Sequence, residues 1–156
     1  MVIRPAHPEE SDALTSLAFA AKSFWGYSAQ QLHAWSAELQ ISPGSIAVEP
    51  TFVAEVQGRI LGVAQLGTSS TPWQIECLWV HPDGVGQGLG TRLVQEAMAH
   101  ARAHEQFQLH IDADPHAEGF YLHLGARRVG VVSAPIAGEP QRVRPQLVLA
   151  TERAAC

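Results

Sequence analysis

Lysine is nearly missing from this chain. Among 156 residues only Lys22 carries an ammonium side chain, and ten Lys and Arg together face fifteen Asp and Glu. The formal net charge of -5 argues against a nucleic-acid binder, because neutralising phosphates takes clustered Lys and Arg. Cysteine is also scarce. Cys77 lies in an apolar segment and Cys156 is the last residue, which fits neither a disulfide framework nor a metal knuckle and points to a reducing compartment. No stretch reaches the ~18 uninterrupted apolar residues of a membrane helix. Met1-Val2-Ile3-Arg4-Pro5 lacks the basic-then-apolar pattern of a signal peptide. Repeats, charge runs and low-complexity tracts are missing too. The expectation is a soluble, cytoplasmic protein with no nucleic-acid and no membrane partner.

What is present is an ordinary globular composition, 46% hydrophobic and 16% charged, at a length that fits one domain over residues 1–156 with a sizeable core. Val2 and Ile3 open a first strand, and Pro8, Glu9 and Glu10 suit a helix start, where acidic groups meet the positive end of the dipole. Leu14, Leu17, Ala18 and Ala21 recur at helical spacing to about Lys22. Ser28-Ala29-Gln30-Gln31 has the form of a capping box, so Leu32, Trp35 and Leu39 continue a second helix that Ser42-Pro43-Gly44 breaks. Thr51 to Val56, a tight turn at Gln57-Gly58, and Ile60 to Leu66 read as a hairpin, followed by a strand from Gln74 to Val80. Leu89, Leu93, Ala97 and Ala101 step by four along a long helix. Gln108 to Ala113 is a strand, Ala117 to Leu124 a short helix stopped by Gly125, and Arg127 to Ser133 and Gln146 to Ala150 are strands. The order is βααβββαβαββ, an α/β (α+β) pattern.

The chemistry concentrates where the third long strand gives way to glycine-dense chain, Leu78-Trp79-Val80-His81-Pro82-Asp83-Gly84-Val85-Gly86-Gln87-Gly88-Leu89-Gly90-Thr91. Amides at a helix start have no intrahelical partner and sit at the positive end of the dipole, while glycines let an anion approach them without a Cβ in the way. A Walker loop is excluded, because Gly90 is followed by Thr91 and Arg92 rather than Lys and Ser or Thr. A dinucleotide fingerprint fits poorly, because the position of its third glycine is Thr91. His100 and His104 lie one turn apart but lack an intervening glutamate and a clear third ligand, so no metal is expected there. His110 and Asp112 share a strand face and read as ordinary sheet residues.

From Val80 to Gly90 the segment resembles motif A of the GCN5-related N-acetyltransferases, Val-x-Pro-x-x-[Arg/Gln]-Gly-x-Gly-[Ile/Leu]-Gly. Val85 stands in place of the usual Arg or Gln, and Gly84 in place of the usual aromatic. Asp112 to Ala126 resembles motif B of the same family, with its core Ala-x-x-Phe-Tyr-x-x-x-Gly at Ala117, Phe120, Tyr121 and Gly125. Lys22 to Tyr27 and Arg142 to Pro145 are similar to Lys-x-x-Trp-Gly-Tyr and Arg-x-x-Pro segments of a bacterial subgroup.

The resemblance implies a mixed central sheet of six to seven strands with about four helices, and acetyl-coenzyme A as co-substrate without a metal. It implies that main-chain groups of Leu78 and Val80, flanking Trp79, pair with the pantetheine arm. Val85, Gly86, Gln87, Gly88, Leu89, Gly90 and Thr91 would hold the pyrophosphate, with Asp112, Ala117, Phe120 and Tyr121 completing the cofactor side. Tyr121 would protonate the departing thiolate. Glu76, on the strand face of Leu78 and Val80, would take the proton of the acceptor amine, so its removal is expected to flatten the alkaline dependence of turnover. Trp25, Tyr27 and Arg142 are candidate acceptor contacts. The implied partner is a small-molecule amine, though polyamines, amino acids, aminoglycosides and protein N-termini all offer one. Family members often pair as homodimers. A non-catalytic acyl-coenzyme A sensor of the same fold is the alternative.

Overall fold

Gln57 and Gly58 both adopt the left-handed region, at φ 51 and 78, the geometry of the two-residue turn that matches the twist of antiparallel strands. They join strands that the computed structural model, which describes residues 1–152, defines as β2 (Thr51–Val56) and β3 (Arg59–Gly67). The other strands are β1 (Val2–Pro5), β4 (Trp73–Val80), β5 (Gln108–Asp112), β6 (Arg127–Ser133) and β7 (Val143–Ala150). They form a seven-stranded sheet in the order β1-β2-β3-β4-β5-β7-β6. The sheet is mixed. β1 with β2, β2 with β3, β5 with β7 and β6 with β7 pair antiparallel, whereas β4 and β5 pair in parallel at Trp73↔Leu109 and Gln74↔His110.

The helices are α1 (Ser11–Phe24), α2 (Ala29–Ala34), α3 (Ser36–Leu39), α4 (Pro43–Val48), α5 (Leu89–Ala103) and α6 (Glu118–His123). The region expected as one second helix is therefore three short ones. Ser28 caps α2 as its sequence suggests, its hydroxyl accepting from Gln31 N at 3.1 Å. Ser42-Pro43 does not end structure but starts α4, because Ser42 accepts from Ser45 N at 3.1 Å and proline tolerates the first helical position.

The chain divides into two compact units. In the first, Met1–Leu66 with Cys77–Ala97, one cluster gathers Leu14, Leu17, Ile41, Ile46, Val53 and Val63, with Cys77 and Trp79 packed against it. A second gathers Phe52, Ala54, Leu61, Ala64, Leu89 and Leu93, with Leu78 and Val80 against it. Alternate residues of β4 thus serve different clusters, as the period of two along a strand requires. In the second unit, Gly67–Glu76 with the chain from Met98 onward, Leu109 and Ile111 of β5 are registered opposite Leu149 and Leu147 of β7, and all four are buried. The end of β7 is latched by Thr151, whose hydroxyl donates to Gln106 O at 2.8 Å and whose carbonyl accepts from Arg102 Nη1 at 2.7 Å.

The acidic residues at Pro8–Glu10 form a 3-10 turn ahead of α1, and the use of Glu10 differs from a simple dipole contact. Its carboxylate accepts from Arg4 at 2.7 and 3.0 Å and from His7 N at 2.8 Å. The Arg4 guanidinium, helped by the His7 amide and opposed by burial, holds the carboxyl down at about 2. A depressed carboxylate stabilises the fold above its unfolded pKa, and this contribution, on the order of 2 kcal/mol, is lost as pH falls. Glu10→Gln should therefore lower the melting temperature at pH 7, and thermal melts should show the gap to the parent closing between about pH 4.5 and about pH 2.

Candidate active site

Between β4 and α5 the chain makes a 3-10 turn, Pro82–Gly84. His81 N donates to Leu61 O at 2.8 Å, Asp83 N donates to His81 Nδ1 at 3.0 Å, and Gly84 N donates to His81 O at 2.8 Å. The amides of Val85 and Gln87 turn inward, donating to Pro82 O at 3.3 Å and Gly84 O at 3.4 Å. The Gln87 side chain also folds back, its Nε2 donating to Asp83 O at 3.1 Å. The amides suited to an external anion are then those of Gly86, Gly88, Leu89, Gly90 and Thr91. Arg92 is the first residue of α5 whose N–H reaches back along the helix, to Gly88 O at 3.1 Å.

Gly86 and Gly88 have φ 85 and 76, and a Cβ at either would meet nothing within 4 Å. These two glycines serve backbone conformation and leave open space over the amides. Gly84 is different, because a Cβ there would stand 2.6 Å from Leu89 Cδ1 and 3.3 Å from Leu61 Cβ. The residue that departs from the family's aromatic is thus filled against by Leu89 and Leu61. Val85, the other departure, is 53% exposed, so no core contact demands valine.

On β4, Glu76 is exposed and accepts a short hydrogen bond from Gln74 Nε2. Both side chains lie over buried Gly67, where a Cβ would be 2.8 Å from Glu76 Oε2 and 2.9 Å from Gln74 Cγ. That glycine is what allows the carboxylate to rest on β3. Leu78 and Val80 pack with the cluster that contains Leu89, whereas Trp79 points to the cluster of α1.

Tyr121 sits in α6, is 5% exposed, and meets Phe120 edge-on at 5.2 Å between ring centroids. The helix is entered through a 3-10 turn, Pro115–Ala117, capped by Asp114, which accepts from His116 N at 2.8 Å. It ends at Gly125, φ 103, the left-handed residue that helix termini favour.

Trp25 and Tyr27 belong to an aromatic enclosure that also includes Trp35 and Trp79. Lys22 Nζ lies 4.5 Å from the Trp35 ring centroid, 5.2 Å from that of Tyr27, and 5.6 Å from those of Trp25 and Trp79. The rings also contact each other, Tyr27 with Trp35 at 4.8 Å and Trp25 with Trp79 at 5.9 Å. Cation–π attraction of this kind favours a defined arrangement of the α1–α2 loop. Neither the place of Trp35 in this enclosure nor the ring-facing role of Trp79 is marked by a sequence motif; the lone lysine, three and five residues before Trp25 and Tyr27, is the available signal. Asp112 is taken up by Arg144, at 2.9 and 3.2 Å, and by Gln146 Nε2 at 2.9 Å. Arg142 is almost fully buried and donates to Ala134 O at 3.1 Å and Asp114 Oδ2 at 3.3 Å. His100 stacks on His104 and on Trp73, whereas His104 meets Trp73 at a tilt. Among the described residues, no group of three or more His, Cys, Asp or Glu is arranged to hold a metal ion. No helix among them is long and apolar enough to cross a membrane.

A family model described as an acetyltransferase (GNAT) domain matches residues 20–133, well over half of the chain. The chain belongs to the GNAT acetyltransferases. Among solved structures, this acetyltransferase is similar to a GCN5-related N-acetyltransferase from Rhodopseudomonas palustris, with 26% identity, coverage of 96% of this chain and 94% of the other, and a TM-score of 0.78. The PaiA N-acetyltransferase from Thermoplasma acidophilum, in complex with coenzyme A, matches at 14% identity, 96% and 98% coverage, and a TM-score of 0.73. YncA from Salmonella typhimurium, a putative acetyltransferase with its cofactor acetyl-CoA, matches at 20% identity, 100% and 96% coverage, and a TM-score of 0.70. These last two show the fold. The Val80–Gly90 and Ala117–Gly125 motifs fall inside the matched 20–133 region.

Proposed function

We propose that the protein, acting as a single domain in the cytoplasm, transfers an acetyl group from acetyl-coenzyme A to a primary amine by direct attack. The observation that carries this reading is the β4–α5 junction of a GNAT chain, where Gly86 and Gly88 in left-handed conformation leave open space over first-turn amides. Gly86, Gly88, Leu89, Gly90 and Thr91 hold the pyrophosphate through main-chain N–H groups. Val85 and Gln87 contribute shape rather than amides. Main-chain groups of Leu78 and Val80 receive the pantetheine arm, and the position of the registered β4–β5 pairs at the first residues of β4 supports this. Asp112, Ala117 and Phe120 bear on the cofactor side of β5 and α6.

An acetyl thioester is already activated, so the residues mainly bring a neutral amine to it and manage protons. Glu76 accepts the amine's proton directly or through water. The neutral amine nitrogen then bonds to the thioester carbonyl carbon, the C–S bond breaks, Tyr121 donates its phenolic proton to the thiolate, and the proton that the new amide nitrogen sheds restores the phenol through solvent. Trp25 and Tyr27 contact the acceptor, a small-molecule or protein amine.

In Glu76→Gln, turnover at neutral pH should fall by roughly 10- to 100-fold, and the pH–rate profile should lose the limb that reports the base. A profile with unchanged shape removes Glu76 from the mechanism. The function as a whole is tested by calorimetry with acetyl-coenzyme A and by thiol release across a panel of polyamines, amino acids, aminoglycosides and peptides. Binding with turnover on at least one amine supports the enzyme. Binding with turnover on none supports a non-catalytic acyl-coenzyme A sensor.

A further inference from the structure

Arg142 and Asp114 form an ion pair whose side chains are only 5% and 6% exposed. A guanidinium taken this far from water is held by its ion-pair and hydrogen-bond partners, which here engage the two Nη atoms, while the buried Nε makes no hydrogen bond. Nη1 donates to Ala134 O at 3.1 Å and Nη2 to Asp114 Oδ2 at 3.3 Å. Ala134 N donates back to Arg142 O at 3.0 Å, so the arginine closes the link between β6 and β7 on itself. Asp114 is equally committed on its other side. Its Oδ1 accepts from His116 N at 2.8 Å and lies 2.9 Å from His116 Nδ1, which makes it the cap of the Pro115–Ala117 turn. That turn runs without a break into α6, which carries Tyr121. Just before Asp114, Ala113 N donates to Pro145 O at 3.0 Å, so the cap is fixed to β7 by backbone as well.

We propose that Arg142 is a positioning residue for Tyr121, acting through the buried Asp114 cap, and that it does not contact the acceptor. The inference rests on the reading of Tyr121 as the proton donor, and it gives the Arg-x-x-Pro segment a role other than substrate binding. A second ion pair ties the same helix from outside, Arg128 to Glu118 at 2.8 and 2.9 Å. It is solvent-exposed at the arginine, and such pairs contribute little. The buried pair is then the one that sets where the phenol lies, because removing one partner strands the other's charge away from water.

The chain contains only two tyrosines, Tyr27 and Tyr121, so incorporation of 3-fluorotyrosine gives two fluorine resonances, and Tyr27→Phe assigns them. In Arg142→Lys, which keeps the charge but not the two-armed reach, and in Asp114→Asn, which keeps a capping side chain, the Tyr121 resonance should shift or split while that of Tyr27 stays. Arg128→Met should leave both in place. Turnover should fall with Arg142→Lys by about 10-fold in kcat and less than about twofold in KM for acetyl-coenzyme A, the pattern of a lost transition-state interaction. A Tyr121 resonance that stays put in both folded variants overturns the proposal, as does an equal shift in Arg128→Met. The fluorine readout needs no turnover. If the catalytic reading of Tyr121 is wrong, the resonance still moves while kcat does not change in Tyr121→Phe.

Discussion

Tyr121→Phe should lower kcat by about 100-fold, the lower end of what a positioned acid supplies, while acetyl-coenzyme A binds as before. The substitution removes one oxygen from a side chain that is 5% exposed and whose ring contact with Phe120 is kept. Phenols, with an ordinary pKa of about 10, are protonated at neutral pH, whereas the thiolate that leaves has an ordinary pKa near 8.5. The donor is therefore available in the ground state and becomes useful only as charge builds on sulfur, which is the condition for raising kcat rather than affinity. Single-turnover thiol release, in which chemistry is isolated from product departure, is the measurement. A rate equal to the parent's removes Tyr121 from the reaction. A donor thioester with a more acidic thiol should recover much of the loss, since a better leaving group needs less help.

The other large effect belongs to Gly88. Gly88→Ala meets no steric clash, since nothing lies within 4 Å of the added Cβ, but it forces alanine to φ 76. The conformational penalty is about 1–2 kcal/mol, so the melting temperature should fall only by several degrees. Affinity should suffer more. The methyl stands over the amides proposed to receive the pyrophosphate, and losing one or two charge-assisted hydrogen bonds at about 1.5–3 kcal/mol each weakens binding by roughly 10- to 100-fold or more. Calorimetry and thermal melts on the same sample separate the two. An affinity loss no larger than the stability loss indicates that the loop merely packs.

Much of this architecture is legible from residues alone, and for identifiable reasons. Arg127–Ser133 stands as expected because Val129, Val131 and Val132 are β-branched residues that favour a strand, and the Gln57-Gly58 turn follows from the two positive φ values it requires. Leu89 to Ala103 shows its helix through apolar residues every fourth position. The region from Ala29 to Val48 is where pattern reading gives out. Ser42-Pro43 serves equally as a stop or as a capped start, and only the fate of the Ser42 hydroxyl decides between them. At the site, the motif positions could be read, but not how each residue is used. The inward turn of the Val85 and Gln87 amides depends on the 3-10 geometry of Pro82–Gly84. The burial of Arg142 depends on a contact with Asp114 twenty-eight residues away. Neither leaves a local mark in the sequence. The departures at Gly84 and Val85 likewise gain a reason only in three dimensions, one from Leu89 and Leu61, the other from exposure.

The central claim is that acetyl-coenzyme A is held by its diphosphate on the amides at the start of α5. Titrating an isotope-labelled sample with acetyl-coenzyme A, while following backbone amide resonances, tests it most directly. The account predicts large, saturable shifts for Gly86, Gly88, Leu89, Gly90 and Thr91, and smaller ones for the internally bonded amides of Gly84 and Arg92. Resonances of those five that stay fixed at millimolar ligand contradict it.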